Sequence, residues 1–124
     1  MQNENGEIAD LAVRTKLFAL RVIKCFSALP KDTAAQVLGR QLLRSGTSVG
    51  AHYREARRAR SVAEFVSKME GALQEADESA YWLELLIEGN IVAPRRLTPL
   101  LGETNELVAI FAASTKTAKA KRHY

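Results

Sequence analysis

The sequence predicts an all-α protein, an up-down-up-down antiparallel four-helix bundle in a single domain. Apolar residues recur from Val62 to Ile87 in alternating steps of four and three, the 3.5-residue period of a helix that packs lengthwise against other helices. Short turns at Pro30 and at Gly89-Asn90 separate long helical stretches, so neighbouring helices should run antiparallel. Aromatic residues make up only 6% of the chain, which favours helices over a sheet-rich fold.

The first helix is predicted over residues 8–29, and Pro30 ends it because proline lacks a backbone donor and disfavours a helical residue before it. The residues expected on its buried side are Leu11, Phe18, Val22, Cys25 and Leu29. The residues expected to widen the same apolar stripe are Val13, Leu17 and Leu20.

The second helix is predicted over residues 34–60, with Asp32 or Thr33 as its N-cap. Its middle, residues 44–50, contains two glycines and three hydroxyl residues, and each glycine costs about 1 kcal/mol of helix propensity relative to alanine. The apolar positions nevertheless continue in phase on both sides. We therefore predict one continuous helix that another helix approaches closely at Gly46 and Gly50.

The third helix is predicted over residues 62–89. Ser61 and Glu64 have the spacing of a capping box before it, and Gly89 and Asn90 suit a left-handed stop after it. The fourth helix is predicted over residues 95–117, with Pro99 tolerated in its first turn. The basic residues 116–124 are predicted to form a frayed tail.

Composition bounds the compartment and the partners. The single cysteine, Cys25, cannot form an internal disulfide, and no signal peptide or membrane-spanning run is present, so we expect a cytoplasmic protein without membrane contact. The net charge is +6 over residues 1–60, −6 over residues 61–90 and +4 over residues 91–124. This distribution indicates either electrostatic matching between helices or subunits, or a basic face for nucleic acid.

The central part of the chain carries a long and specific pattern, and it resembles the family of small bacterial four-helix bundle proteins, which are related to the intervening-sequence proteins of large-subunit ribosomal RNA genes. The matching residues are Leu43-Arg-Ser-Gly-Thr-Ser-Val-Gly-Ala51, Tyr53-Arg-Glu-Ala56, Ala63-Glu-Phe65, Glu75-Ala-Asp-Glu78 and Tyr81-Trp-Leu-Glu-Leu-Leu86. His52 departs from the pattern, because the family usually has asparagine there.

The resemblance implies a four-helix bundle that assembles into a homopentamer, with no established activity. The accessory protein of diversity-generating retroelements is a distant relative, and it is a basic pentamer that binds a reverse transcriptase and nucleic acid. The third helix is apolar on more than one face near its end, which also predicts burial against a second subunit. The residues predicted at that interface are Tyr81, Trp82, Leu85 and Leu86.

Arginines form the densest basic group and are the predicted contacts for RNA, DNA or an acidic partner protein. They are Arg54, Arg57, Arg58, Arg60, Arg95 and Arg96. Only Tyr53 alternates with them, so stacking on single-stranded bases has little support. An alternative role for Arg57 and Arg58 is pairing with the acidic third helix of a neighbouring subunit.

The remaining charged residues favour structural roles. Carboxylates of the third helix are expected to pair with arginines of the second, and the predicted helix-pairing residues are Arg44, Glu55, Glu75 and Glu78. His52 and Glu55 lie one turn apart, but a di-metal bundle site uses Glu-x-x-His on two helices, and the only other histidine is His123.

We therefore predict a non-enzymatic, homo-oligomeric interaction or scaffold protein without cofactor, metal or small-molecule substrate. The alternative is a purely structural homo-oligomer with no nucleic-acid partner. A weaker third hypothesis is a metal-binding or catalytic bundle built around His52 and Glu55.

Overall fold

The computed structural model describes residues 4–122, with side chains described for residues 11–121. The four helices are α1 (Glu4–Ser27), α2 (Thr33–Arg57), α3 (Val62–Glu88) and α4 (Pro94–Arg122), and no strand occurs between residues 4 and 122. Helices that are consecutive in the chain pack against each other, most extensively α2 with α3, whereas α1 and α4 touch only briefly. The predicted all-α, up-down-up-down bundle is confirmed.

The ends of the helices depart from the predicted bounds at several places. α1 begins at Glu4 instead of residue 8, and α2 ends at Arg57 instead of residue 60, because the intervening residues turn to cap α3. Residues 116–122 were predicted to belong to a frayed tail, but they are helical, because α4 continues to Arg122. Lys119 Nζ lies 2.6 Å from Glu70 Oε2 of α3 and holds this last part of α4 against the bundle. His123 and residue 124 lie outside the described residues.

Local capping explains why the helices begin and end where they do. Asp32 accepts a hydrogen bond from the backbone N–H of Ala35 at 3.0 Å, and Ser61 accepts one from that of Glu64 at 3.0 Å. At the end of α3, Asn90 takes the left-handed conformation with φ 59°. Its N–H donates to Ile87 O, while the N–H of Ile91 donates to Leu86 O, which together make a Schellman motif.

The core is built from one face of each helix. The predicted α3 row is buried or half-buried from Val66 to Ile87, although its first member, Val62, is 48% exposed. In α1 the residues predicted on the buried side are buried or half-buried, but the predicted widening of the apolar stripe is wrong. Val13, Leu17 and Leu20 are 55%, 54% and 54% exposed, because they lie on the side of α1 opposite Phe18 and Val22, where no other helix packs.

α1 approaches α2 closely at the two glycines singled out in the sequence. A Cβ atom built on Gly46 would lie 2.8 Å from Val22 Cγ2, and one on Gly50 would lie 3.2 Å from Thr15 Oγ1. Real Cβ atoms are not found at the first distance, so glycine at 46 is a requirement of the packing. The predicted continuous helix with a close approach is therefore present in α2.

α1 is tied to α4 by one charged cluster. Arg14 donates to both carboxylate oxygens of Glu103, from Nε at 3.1 Å and from Nη2 at 2.7 Å, and also to Glu106 at 3.0 Å. The bond to Glu103 raises the pKa of Arg14 further above its ordinary value. Because α1 and α4 come close at only a few places, this bidentate pair is a main direct link between them.

We predict opposite effects of glycine-to-alanine substitution at two helical positions. Gly46→Ala forces Cβ into Val22, and such overpacking costs about 1–3 kcal/mol. Gly102→Ala meets nothing within 4 Å and should stabilise α4 by up to about 1 kcal/mol. Urea denaturation followed by circular dichroism measures both. Since the gain in helix propensity is common to the two variants, equal free energies of unfolding would contradict the close packing at Gly46.

Candidate nucleic-acid interface

An open groove runs between α1 and α2 near the carboxyl end of α2. Its volume is about 520 Å³, and small residues form its floor while long basic side chains stand around it. We call it the arginine groove, and its lining residues are Ala12, Thr15, Lys16, Ala19, Thr47, Gly50, Ala51, Tyr53, Arg54, Glu55, Arg57 and Arg58. The close approach of α1 at Gly50 brings these residues of the two helices together.

The basic side chains of the groove are exposed and free of ion pairs with the residues whose side chains are described. Arg54, Arg57, Arg58 and Lys16 all extend toward solvent, and none has a described carboxylate within salt-bridge distance. Negatively charged ligands gain most from such charges, because no partner among the described side chains has to be displaced. The groove is therefore an anion-attracting surface.

Tyr53 is not available for stacking on a base. It is 4% exposed and packs edge-to-face on Phe111 of α4, with ring centroids 6.0 Å apart. Burial raises the pKa of its hydroxyl, and the positive charge of Arg57 opposes that rise. What the groove offers to a ligand is thus positive charge and donors, which suit phosphate oxygens better than base rings.

The six arginines predicted as one basic group lie at two ends of the bundle. Arg54, Arg57, Arg58 and Arg60 lie at the carboxyl end of α2, whereas Arg95 and Arg96 begin α4 at the other end. A 25-residue helix spans about 37 Å, so the two sets cannot share one short binding site. Arg60 differs again, since its Nε lies 3.9 Å from Glu64 Oε1 in the cap of α3.

The helix-pairing residues predicted from charge lie together along the α2–α3 seam. Arg44 Nη1 lies 3.3 Å from Glu75 Oε1, and Arg44 Nη2 lies 2.5 Å from Glu78 Oε2, which raises the pKa of Arg44. Glu78 also accepts from Trp82 Nε1 at 3.1 Å. Glu55 makes its cross-helix contact with Lys68 Nζ at 3.4 Å, so its partner is a lysine of α3 and not an arginine.

His52 lies in the same seam, beside carboxylates of α2 and α3. Its Nδ1 is 3.4 Å from Glu55 Oε1 and its Nε2 is 3.8 Å from Glu75 Oε2, while its ring packs on Gly71. No group of three or more His, Cys, Asp or Glu residues with described side chains is arranged to hold a metal ion. The ring contacts therefore describe a histidine packed into a charged helix seam.

Only some of the four residues predicted at an oligomer interface are accessible to a second subunit. Tyr81 is 53% exposed, and its ring lies 5.1 Å from that of Trp82. Trp82 and Leu85 are half-buried. Leu86 is fully buried in the core of its own chain, so it has no surface to offer to a second subunit.

Comparisons with known proteins give the family. A family model described as 23S rRNA-intervening sequence protein matches residues 9–113. The chain belongs to this family. It is also similar to a protein of unknown function from the S23 ribosomal protein family of Bacteroides thetaiotaomicron, with 33% identity, 88% of this chain and 97% of that chain covered, and a TM-score of 0.82. No curated protein matches the chain.

Membership of the 23S rRNA-intervening sequence proteins agrees with the resemblance read from the central segment, and it brings no activity with it, because the solved relative is itself of unknown function. Over the described part of the chain, none of the helices has an apolar stretch that could cross a membrane.

Sequence reasoning missed three features of these surfaces. They are Lys16 in the arginine groove, the Arg14 pairing with α4, and the exposed apolar residues of α1. Only the last had a signal in the sequence. Plotting α1 at 100° per residue separates Val13, Leu17 and Leu20 from Phe18 and Val22 by about 100° to 180°.

We predict that the Cys25 thiol loses its proton at a higher pH in the folded chain than in the unfolded chain, because burial raises the pKa of the thiol. Between the ordinary thiol pKa of about 8.5 and the raised value, the unfolded chain is mostly thiolate and the folded chain mostly thiol. Alkylation by iodoacetamide should therefore keep accelerating with pH after the rate in urea has levelled off. Coinciding pH midpoints would contradict the prediction, whatever the absolute rates.

Proposed function

We propose that this protein is a non-enzymatic, self-associating interaction module that binds the phosphate backbone of RNA or DNA through its arginine groove. The observation that carries the proposal is that Arg54, Arg57 and Arg58 have no carboxylate partner among the described side chains and stand with Lys16 around one open groove. Elsewhere in the described chain, Arg14 and Arg44 are held by carboxylates. The groove arginines differ from them in being left to solvent.

The chemistry of the groove supports contact with a backbone and not with bases. Phosphates bind guanidinium groups by charge-assisted, often bidentate hydrogen bonds, which need no aromatic platform. The one aromatic residue among these arginines, Tyr53, is buried. Little sequence preference is therefore expected, because backbone contacts position a nucleic acid without reading its bases.

Self-association is part of the proposal because a single groove offers few contacts. The four cationic side chains of one groove can displace only a few counterions from a nucleic acid, so one groove alone gives weak binding at physiological salt. Several copies held together would raise the affinity through multivalency. A homopentamer, the assembly implied by the family resemblance, would provide several grooves.

Charge reversal at the groove should weaken binding where the same change at the other end does not. In fluorescence anisotropy with labelled RNA and DNA, Arg57→Glu with Arg58→Glu should reduce affinity by at least about tenfold and lower the salt slope by about 2. The matched control is Arg95→Glu with Arg96→Glu, which changes the net charge equally but lies at the opposite end of the bundle. Equal losses in both variants would show a general charge effect, and no binding of the native chain at low salt would remove the nucleic-acid role.

A purely structural homo-oligomer is the second candidate, and the exposed apolar residues of α1 favour it. Val13, Leu17 and Leu20 are each more than half exposed and recur at steps of four and three, so they form one continuous stripe. Such stripes mark protein contacts more often than nucleic-acid contacts. A native protein that assembles but binds neither RNA nor DNA at low salt would support this candidate over the first.

A further inference from the structure

Two outer surfaces of the bundle carry charges of opposite sign that have no ion-pair partner among the described side chains. On α1, the side turned away from the bundle presents an apolar stripe with lysines beside it. We call this the α1 outer face, and its residues are Val13, Lys16, Leu17, Leu20, Ile23 and Lys24. Neither lysine forms an ion pair with any residue whose side chain is described.

The opposite corner of the bundle has the complementary composition. On α3, Tyr81 is 53% exposed in the middle of a row of carboxylates. We call this the α3 outer face, and its residues are Asp77, Tyr81, Glu84, Leu85 and Glu88. Within the described side chains these three carboxylates have no cationic partner, although Glu75 and Glu78 of the same helix are held by Arg44.

The two faces overlap in height along the bundle over part of their length. Gly46 of α2 packs on Val22 of α1, and the preceding residue, Ser45, hydrogen-bonds Ser79 of α3 at 2.8 Å. Val22 and Ser79 are therefore level with each other across α2. Since α1 and α3 run in the same direction, Leu20 is level with Asp77, and Lys24 is level with Tyr81.

We propose that the α1 outer face of one copy of this chain docks on the α3 outer face of a second copy. The contact would place Leu20 and Ile23 of α1 against Tyr81, with Lys24 beside the carboxylates of Asp77 and Glu84. This inference rests on the self-association in the proposed function but not on nucleic-acid binding.

A second copy fits this surface because the chain itself contains both halves of the contact. The α1 outer face needs an acidic surface with an exposed apolar side chain at an overlapping height, and the α3 outer face supplies one. Because the two faces lie on different sides of the molecule, the contact is head-to-tail and each copy can bind two neighbours. A head-to-tail contact builds a closed ring when its rotation closes, whereas a contact of like with like stops at a dimer.

A mixing experiment tests the pairing of the faces. One variant carries Leu17→Glu with Leu20→Glu and keeps the α3 face, and the other carries Tyr81→Lys with Glu84→Lys and keeps the α1 face. All four side chains are exposed, so both variants should keep the helical circular dichroism of the native chain. The control is Val37→Glu, which changes an apolar side chain 49% exposed on α2, outside both faces.

Sedimentation velocity without nucleic acid should show assemblies for the native chain and the control, and monomers for each variant alone. An equimolar mixture of the two variants should form a two-chain complex and nothing larger. The altered faces cannot extend it, because exposed ion pairs alone are worth about 0–1 kcal/mol. A dimer of the α3-face variant alone would overturn the proposal in favour of α1 pairing with α1. Native-like assembly of the α1-face variant would also overturn it, and a monomeric native chain would overturn self-association while leaving nucleic-acid binding to its own test.

Discussion

The arrangement of the bundle depends on residues 44–50 in the middle of α2, which contact two helices at once. On one side, Gly46 and Gly50 lack the side chains that would hold α1 away. On the other, Ser45 bonds to Ser79 of α3. Because α1 has only a brief contact with α4, its position follows mainly from its packing along α2, at Gly39 as well as in this stretch, and from Arg14. A segment with poor intrinsic helix propensity is thus kept helical by its neighbours.

Charge is distributed in this protein according to what each helix face meets. Where helices meet, carboxylates and guanidinium groups pair at short distances, as Arg44 does with Glu78 and Arg14 with Glu103. On the outward surfaces the charges remain separate, positive in the arginine groove and beside the α1 stripe, negative around Tyr81. Internal pairs of this kind fix relative positions more than they add stability, whereas the separate charges are available to other molecules.

Much of the fold was predictable because the apolar residues of most helices lie on a single face. In α3 the row from Val66 to Ile87 has a single phase, and the caps at Ser61 and Asn90 have strong local signals. α1 was harder because apolar residues occupy two opposite faces, and periodicity does not say which face finds neighbours. Phe18 and Val22 are buried while Leu17 and Leu20 are not, and the difference follows from the brief contact of α1 with α4.

The candidate site was predictable in part for a similar reason. Residues near in sequence, such as Arg54, Arg57 and Arg58, stay together on the last turns of one helix. Lys16 joins them only through the packing of α1 on α2, which the sequence does not specify residue by residue. Arg95 and Arg96 could have been separated from them in advance, because an antiparallel bundle places the start of its fourth helix and the end of its second at opposite ends.

The common direction of α1 and α3 has a consequence for any polyanion that meets an assembly joined through them. Copies joined by a contact between two parallel helices at equal height all point in the same direction along the axis of the assembly. Every arginine groove would then open near the same rim, and the opposite rim would present Arg95 and Arg96 instead. A long nucleic acid lying along the first rim would bridge neighbouring grooves, so that release from one would be followed by rapid recapture at the next.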